Sequence, residues 1–385
     1  MENSSENFIF TNPEVRKTFR QVLSFQKSDY VPHFETLGLW GETVDRWHKE
    51  GFPEEQSCWE YFGIDRYMDT IGGFTNPSSI KRLIDLVFQA PYRPRFQTKI
   101  LEEKENYIIK QEEDGIIKKL KRHGTFMPQF LKFPVESRKD WEKLKWRLDP
   151  KVEERYKGIK KEASLLKNRK YILRFGLCGC YGFPRDLFGD EGLAYVFYDD
   201  PQLLHDIMEH WLYFQTYVAD QVCPLIDFDY VFIWEDIGYK TASLISPKLF
   251  REFMFPYLKD FISYVRNKYH LDLFMVDSDG NILSLLPLYT EAGVNIIMPC
   301  EIAAGMEPVI IREQFPKLAL IGGIDKRALT KGKKEIEEEV MKKASLLIQK
   351  GGYIPSIDHG VPPDVSFENF CYYLEFIRKI EREQR

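Results

Sequence analysis

The sequence predicts an α/β fold, a (β/α)8 TIM barrel with an antiparallel insertion over residues 97–140 and helical segments at its N-terminus. Three observations carry this expectation. Short apolar runs alternate with capped, amphipathic segments through the second half of the chain, the pattern of parallel βαβ units. No glycine-rich dinucleotide fingerprint follows the first apolar run, which favours a closed barrel over a nucleotide-binding open sheet. The length, 385 residues, suits a single barrel with insertions, and residues 1–385 are read as one domain.

The elements follow in chain order. Val31-Pro32-His33-Phe34-Glu35 reads as a short first strand, and Glu42 to Glu50 as a helix. Lys99-Ile100-Leu101 and Asn106-Tyr107-Ile108-Ile109 are extended, and Glu113-Asp114-Gly115 supplies a hairpin turn before Ile116-Ile117. Lys118, Lys119, Lys121 and Arg122 form a small basic cluster on a solvated face of this insertion. Arg138 to Lys167 is charged and mostly helical. Tyr171 to Phe175 is a buried strand. Asp200-Pro201 opens a helix with an N-cap and a proline at the first helical position, and Ser246-Pro247 opens another. Tyr230 to Trp234, Leu273 to Val276, Val294 to Ile297, Leu318 to Ile321 and Tyr353-Ile354 complete the strands. Glu335 to Gln349 is an amphipathic helix between the last two.

Composition excludes several classes. Lys and Arg total 54 against 59 Asp and Glu, a net charge of -5, which argues against a nucleic-acid partner. Aromatic residues make up 15% of the chain, too many for a disordered protein and suggestive of a pocket for a flat or apolar ligand. Met1 to Thr11 is polar and lacks the apolar core of a signal peptide. No apolar run reaches the ~18 residues of a membrane span. The chain is therefore expected to be soluble and cytoplasmic. Its six cysteines are scattered and read as buried thiols, not as a disulfide framework.

In α/β barrels the chemistry sits at the C-terminal ends of the strands. Those ends carry His33 and Glu35, then Cys178 and Cys180, then Trp234-Glu235-Asp236. Asp277-Ser278-Asp279-Gly280, Pro299-Cys300-Glu301, Gly322-Gly323-Ile324-Asp325 and Asp358-His359-Gly360 follow. A single acid after a strand is commonly a helix cap, and Asp325 is read that way. Glu235, Asp277, Asp279, Glu301 and His359 together are an unusual concentration. Carboxylates converging on a cavity repel one another, and a divalent cation relieves that repulsion. The competing reading is an acid/base cluster without metal.

These residues lie within a chain that resembles the uroporphyrinogen decarboxylase-like superfamily, whose members are (β/α)8 barrels. The resemblance runs from Pro32 to about Leu374. It is carried by Arg185-Asp186-Leu187-Phe188-Gly189, Tyr198-Asp199-Asp200-Pro201, Ile245-Ser246-Pro247, Asp279-Gly280-Asn281, Glu291-Ala292-Gly293-Val294, Ile321-Gly322-Gly323-Ile324-Asp325 and Gly351-Gly352-Tyr353. The superfamily includes porphyrin decarboxylases and zinc-dependent corrinoid methyltransferases. The methyltransferase branch has H-S-C-G-N where this chain has Asp277-Ser278-Asp279-Gly280-Asn281, and a later cysteine near the position of His359. The positions match, while oxygen and nitrogen replace sulfur.

The resemblance implies zinc held by Asp277, Glu301 and His359, with Cys300 as a fallback ligand. Glu235 and Asp279 are the expected catalytic residues. Substrate contacts fall to His33, Glu35, Phe175, Cys178, Trp234 and Tyr239. A hard ligand set suits an oxygen-bound substrate. The implied reaction is methyl transfer from an O-methyl compound, a methoxylated aromatic, to a corrinoid carried by a separate protein. No D-x-H-x-x-G segment marks a corrinoid site in this chain. The second reading is a decarboxylase, for which His359-Gly360-Val361-Pro362-Pro363 speaks. Against it, Glu35 stands in the region where those enzymes carry R-Q-A-G-R. The third is a catalytically silent barrel that binds a corrinoid protein or a small ligand. Pairing of barrels into a homodimer is a family habit.

Overall fold

The computed structural model describes residues 14–33, 35, 37–65, 92–122 and 127–384. The expected parallel α/β architecture is present. Its centre is a sheet of six parallel strands: β5 (Arg174–Cys178), β6 (Tyr230–Trp234), β7 (Phe274–Asp277), β8 (Ile296–Met298), β9 (Ala319–Ile321) and β10 (Tyr353–Ile354). They lie in simple sequential order, each beside its neighbour in the chain. The strands are buried almost throughout, as a parallel sheet covered by helices requires. Beyond β10, isolated parallel bridges join Leu39 to Val361 and Ile324 to Ile357. No closed barrel is formed among the described residues.

The first expected strand is absent. Val31, Pro32, His33 and Glu35 lie in irregular backbone, and Phe34 falls outside the described residues. Proline cannot donate to a strand ladder, and the segment's first parallel bridge comes only further on, at Leu39, outside the named strands. The strand expected at Tyr171 to Phe175 begins three residues later. Asp229 is the cause. Its carboxylate takes the Leu173 amide at 2.9 Å, and its own amide donates to the Leu173 carbonyl at 2.7 Å. β5 can pair with β6 only beyond that point.

The insertion is a four-stranded antiparallel sheet, β1 (Lys99–Glu103), β2 (Tyr107–Gln111), β3 (Ile117–Lys121) and β4 (Gln129–Lys132). Its expected turn forms, with Gly115 at φ +84 and the Asp114 carboxylate accepting from the Ile116 amide at 2.9 Å.

The anticipated caps also form. Asp200 accepts from the Leu203 amide at 3.0 Å, Ser246 from Leu249 at 3.2 Å and Asp325 from Arg327 at 2.9 Å. The helix Pro201–Val222 buries Leu204, Ile207, Met208 and Trp211, and the Trp211 indole donates to the Cys178 carbonyl at 2.8 Å. That bond fixes the end of β5. The expected helix Glu335 to Gln349 is interrupted by a π-turn at Met341–Ser345. The extra residue turns Lys343 inward, where it is 1% exposed and donates to the Gly323 carbonyl at 3.0 Å. Among the described residues no helix is long and apolar enough to cross a membrane.

Asp229 also anchors the N-terminal helix Val15–Leu23 to the sheet. Its buried carboxylate meets Arg16 and Arg169, each at 3.0 Å, and Arg20 at 2.9 Å. Removing one partner of a buried ion pair leaves charge uncompensated and costs ~3–5 kcal/mol. Asp229→Ala is expected to lower stability by about that much in urea unfolding. A loss under ~1 kcal/mol, the value of an exposed pair, would show that the cluster does not hold the helix in place.

Candidate functional site

The site lies along the C-terminal edge of the parallel sheet. Register places Cys178 beside Trp234, Trp234 beside Asp277 and Asp277 beside Met298, so three strand ends named in the sequence reach one level. The loops beyond them carry the remaining candidates, and each loop is fixed by its neighbours.

The loop after β7 is the most constrained. The Ser278 hydroxyl accepts from the amides of Ile237 at 3.1 Å and Gly238 at 3.2 Å. The Asn281 amide donates to the Tyr239 carbonyl at 2.7 Å. Gly238 and Gly280 pass so closely that a Cβ on Gly238 would stand 2.3 Å from the Asp279 carbonyl oxygen. The segment Asp279-Gly280-Asn281 is thus the form that backbone contact demands. It presents the Asp279 side chain to the mouth.

His359 comes from the loop after β10. The preceding Asp358 is buried and accepts from the amides of Ile302 at 3.0 Å and Lys326 at 3.1 Å, tying three strand-end loops together beneath the histidine. The His359 Nδ1 accepts the Gly360 amide at 2.7 Å, so the proton of the neutral ring sits on Nε2. That nitrogen lies 3.4 Å from the Asp279 carboxylate. Both side chains are partly open to solvent, at 32% and 43%. The hydrogen bond and charge of Asp279 raise the histidine pKa above its ordinary value, against the opposing effects of burial and Lys326.

A second pair lies alongside. Arg185, from the helix Gly182–Asp199, donates through Nη1 to the Asp236 carboxylate at 2.7 Å and to the Asp236 carbonyl at 2.8 Å. Its guanidinium carbon stands 4.6 Å from the centre of the Trp234 ring. Asp236 holds a left-handed backbone, φ 47, which few non-glycine residues adopt. Burial raises its pKa, Arg185 opposes the rise, and the charge of Asp279 adds to it. The mouth therefore carries two ion pairs, Arg185–Asp236 and His359–Asp279, with their acids near each other.

Other candidates are placed elsewhere. Glu235 is fully buried and lies beneath the mouth. Its carboxylate accepts from the amides of Cys180 at 3.2 Å, Tyr181 at 2.7 Å and Gly182 at 3.3 Å, at the start of the Gly182–Asp199 helix. Burial pushes its pKa up to about 7, and the three amides oppose that rise. Glu35 is buried as well, accepting from Ser356 at 2.9 Å and the Ile357 amide at 2.8 Å. His33 pairs with Glu381 of the C-terminal helix at 2.6 Å. Phe175 is core, packed against Phe228 and Phe261 with ring centres 5.5 and 6.4 Å away. Cys178 and Trp234 are half-buried at the mouth, and Tyr239 stands exposed beside it.

The zinc ligands expected from the sequence do not converge. His359 and Asp279, at 3.4 Å, have the separation that two ligands of one tetrahedral zinc adopt, about 3.3 Å for bonds of ~2.05 Å. A third is missing. Glu301 accepts the Gly280 amide through one oxygen at 2.9 Å, and its charge acts on His359. Asp277 is buried at the strand end, and Cys300 is 1% exposed, with burial pushing its thiol up to about 12. Among the described residues no three His, Cys, Asp or Glu side chains form a metal-holding group. The donor set present among the described residues does not fit a three-ligand zinc.

The profile of the uroporphyrinogen decarboxylase (URO-D) family matches residues 119–380, and the chain belongs to that family. Curated relatives named uroporphyrinogen decarboxylase are similar over parts of their length. The chloroplastic enzyme of Nicotiana tabacum is 30% identical over 36% of this chain and 34% of its own. That of Campylobacter lari is 26% identical over 47% of this chain and 50% of its own. That of Chlorobium limicola is 24% identical over 64% and 70%. The chain thus spans half or less of the first two. Among solved structures, a methyltransferase from Methanosarcina mazei shares the fold, with a TM-score of 0.54 and 14% identity over 95% of this chain and 98% of its own.

Glu235 gives a test of its own. A carboxylate whose folded pKa lies above its unfolded value favours folding in its protonated form. That contribution is whole below about pH 4.5 and is lost as pH rises through about 7. In Glu235→Gln the amide group faces backbone donors, so the variant is less stable at low pH, by ~1–3 kcal/mol for the unmet hydrogen bonds. The gap to wild type is expected to narrow between pH 5 and pH 8 in thermal melts. A gap independent of pH would show that Glu235 does not titrate in the fold.

Proposed function

We propose that the chain is a corrinoid-dependent methyltransferase that demethylates an O-methyl compound, a methoxylated aromatic, with the methyl group passing to a separate corrinoid protein. The observation that carries this reading is the His359–Asp279 pair, an imidazole nitrogen 3.4 Å from a carboxylate and partly open to solvent at the strand ends, with its pKa raised by Asp279. Methyl ethers react poorly because their leaving oxygen is strongly basic, and a positioned acid supplies what that bond cleavage needs. When bound, a reduced corrinoid on the partner protein would supply the nucleophile for the methyl group. As the methyl–oxygen bond breaks, the protonated His359 ring, its Nδ1 released from the Gly360 amide, gives up to the departing oxygen the Nε2 proton that faces Asp279, leaving a neutral ring beside the charged carboxylate. Trp234 and Cys178 line the approach. Glu235 is a positioning residue, since its carboxylate is committed to backbone amides.

The six-stranded sheet and the Leu39–Val361 bridge support reading the fold as a (β/α)8 barrel, to which the Methanosarcina methyltransferase lends a structural parallel. The relatives' names favour decarboxylation, and a proton donor would serve that reaction too. The segment around Glu35 speaks against it, because it brings a buried acid, held by Ser356 and Ile357, where a polycarboxylate needs cations. Six cysteines without disulfides support a cytoplasmic setting.

The test is methylcobalamin formation, followed by absorbance, from reduced cobalamin and a panel of methoxylated aromatics. Turnover is expected to fall as pH rises through the His359 pKa, which lies above 6.5. His359→Gln should lower kcat by roughly 10²–10⁴-fold and abolish that limb, and Asp279→Asn should move it to lower pH. A chelator is expected to leave activity intact. Activity lost to the chelator and restored by zinc would overturn the proton-delivery role. Thiol-dependent demethylation of methylcobalamin, with no turnover of methoxyarenes, would reverse the direction of transfer.

A further inference from the structure

We propose that Arg185 selects the substrate, and that the methyl donor carries a carboxylate which docks on this guanidinium, as a methoxybenzoate does and a neutral methoxyphenol does not. The inference rests on the demethylase reading for the methoxy group, while the anion site stands on its own geometry.

A guanidinium has five N–H donors in a rigid plane. In Arg185 only Nη1 is engaged, by the carboxylate and carbonyl of Asp236, and Nε and Nη2 make no hydrogen bond to a described residue. Nε and Nη2 together form the edge that grips a carboxylate with two parallel bonds. The side chain keeps 17% of its surface open, so that edge is reachable without unfolding anything. Trp234 supports the guanidinium from its ring, and the same ring is half-buried at the level of Cys178 and Asp277. An aromatic acid finds here a cation for its carboxylate and an apolar surface for its ring.

The surrounding acids do not forbid a single negative charge. Asp236 and Asp279 are each paired with a cation, and burial holds the Asp186 pKa up to about 7, which weakens its charge near neutrality. Asp190 also faces Arg185. One open arginine edge suits one carboxylate and leaves a polycarboxylate unmatched. The order Arg185, Asp236, Asp279, His359 across the mouth places the anion at one end and the proton donor at the other.

The experiment is calorimetric binding of 4-methoxybenzoate, benzoate and 4-methoxyphenol to the full chain and three variants. Wild type is expected to bind both benzoates more tightly than the phenol. Arg185→Gln should weaken the benzoates by about 10–100-fold and leave the phenol unchanged, and Arg185→Lys, which keeps charge but loses the two-toothed edge, should fall between. Asp236→Asn removes the competing carboxylate and should tighten benzoate. A purely structural Arg185–Asp236 pair predicts that Arg185→Gln weakens all three ligands alike and that Asp236→Asn weakens benzoate, and either result overturns the proposal. The expected binding pattern without any methyl transfer from 4-methoxybenzoate would leave the anion site standing and sink the demethylase reading. Methyl transfer that prefers the phenol and ignores Arg185→Gln would do the reverse.

Discussion

The arrangement of the mouth depends on one buried contact, the Glu235 carboxylate against the first amides of the Gly182–Asp199 helix. A helix N-terminus has unpaired donors and a partial positive charge, and a carboxylate placed there satisfies both. Because Glu235 follows β6 and the helix follows β5, the contact locks two strand-end loops together. It also dictates the sequence Cys178-Gly179-Cys180-Tyr181-Gly182. A Cβ on Gly179 would stand 2.2 Å from the Glu235 carboxylate carbon, and one on Gly182 would stand 2.6 Å from the Trp234 carbonyl oxygen. The two glycines are there for close approach. With the helix start fixed, Arg185, one turn further on, can lie over Trp234 and reach Asp236.

The same contact shows where sequence reasoning succeeds and where it stops. Alternating apolar runs and the caps at Asp200, Ser246 and Asp325 were legible, because each is a local rule that neighbouring residues satisfy among themselves. The strand-end acids were legible as a set. Which of them face the mouth was not, since Glu235 and Glu301 are taken up by amides 53 to 55 and 21 residues away, and no local pattern announces those bonds. His33 and Glu35 are likewise held by distant partners, Glu381 for the one and Ser356 and Ile357 for the other. Arg185 was in view within a family segment, yet gave no signal of its role. A cation in the first turn of a helix opposes the helix dipole, and that local conflict is the mark that could have singled it out.

Charge at the mouth is balanced by pairing. Asp236 and Asp279 sense each other, and two adjacent acids in a half-buried mouth would drive one another toward protonation. Arg185 and His359 each take one of them, and at Asp236 the guanidinium opposes the rise that burial imposes. The histidine gains in the exchange a proton held more firmly than in water. Substituting Arg185 would therefore reach His359 through the Asp236–Asp279 repulsion, with no direct contact between the two cations.

Backbone strain marks the same region. Asp236 and Cys300, both just past strand ends, hold left-handed backbones at φ 47 and φ 58, a conformation that costs about 1–3 kcal/mol for a non-glycine residue. Each is held from outside. Asp236 has Arg185 on its side chain and carbonyl, and its amide donates to Asp277 at 3.4 Å. Around Cys300, the carbonyl of the preceding Pro299 accepts the Gly323 amide at 2.9 Å, and a Cβ on Gly322 would stand 2.1 Å from that oxygen. Gly322-Gly323 is glycine-rich because this turn leaves no room, so the segment reads as scaffold and not as a phosphate loop. Neighbouring strand ends thus hold one another in shapes none would keep alone, which is how a mouth built from separate loops keeps an acid and a cation in register.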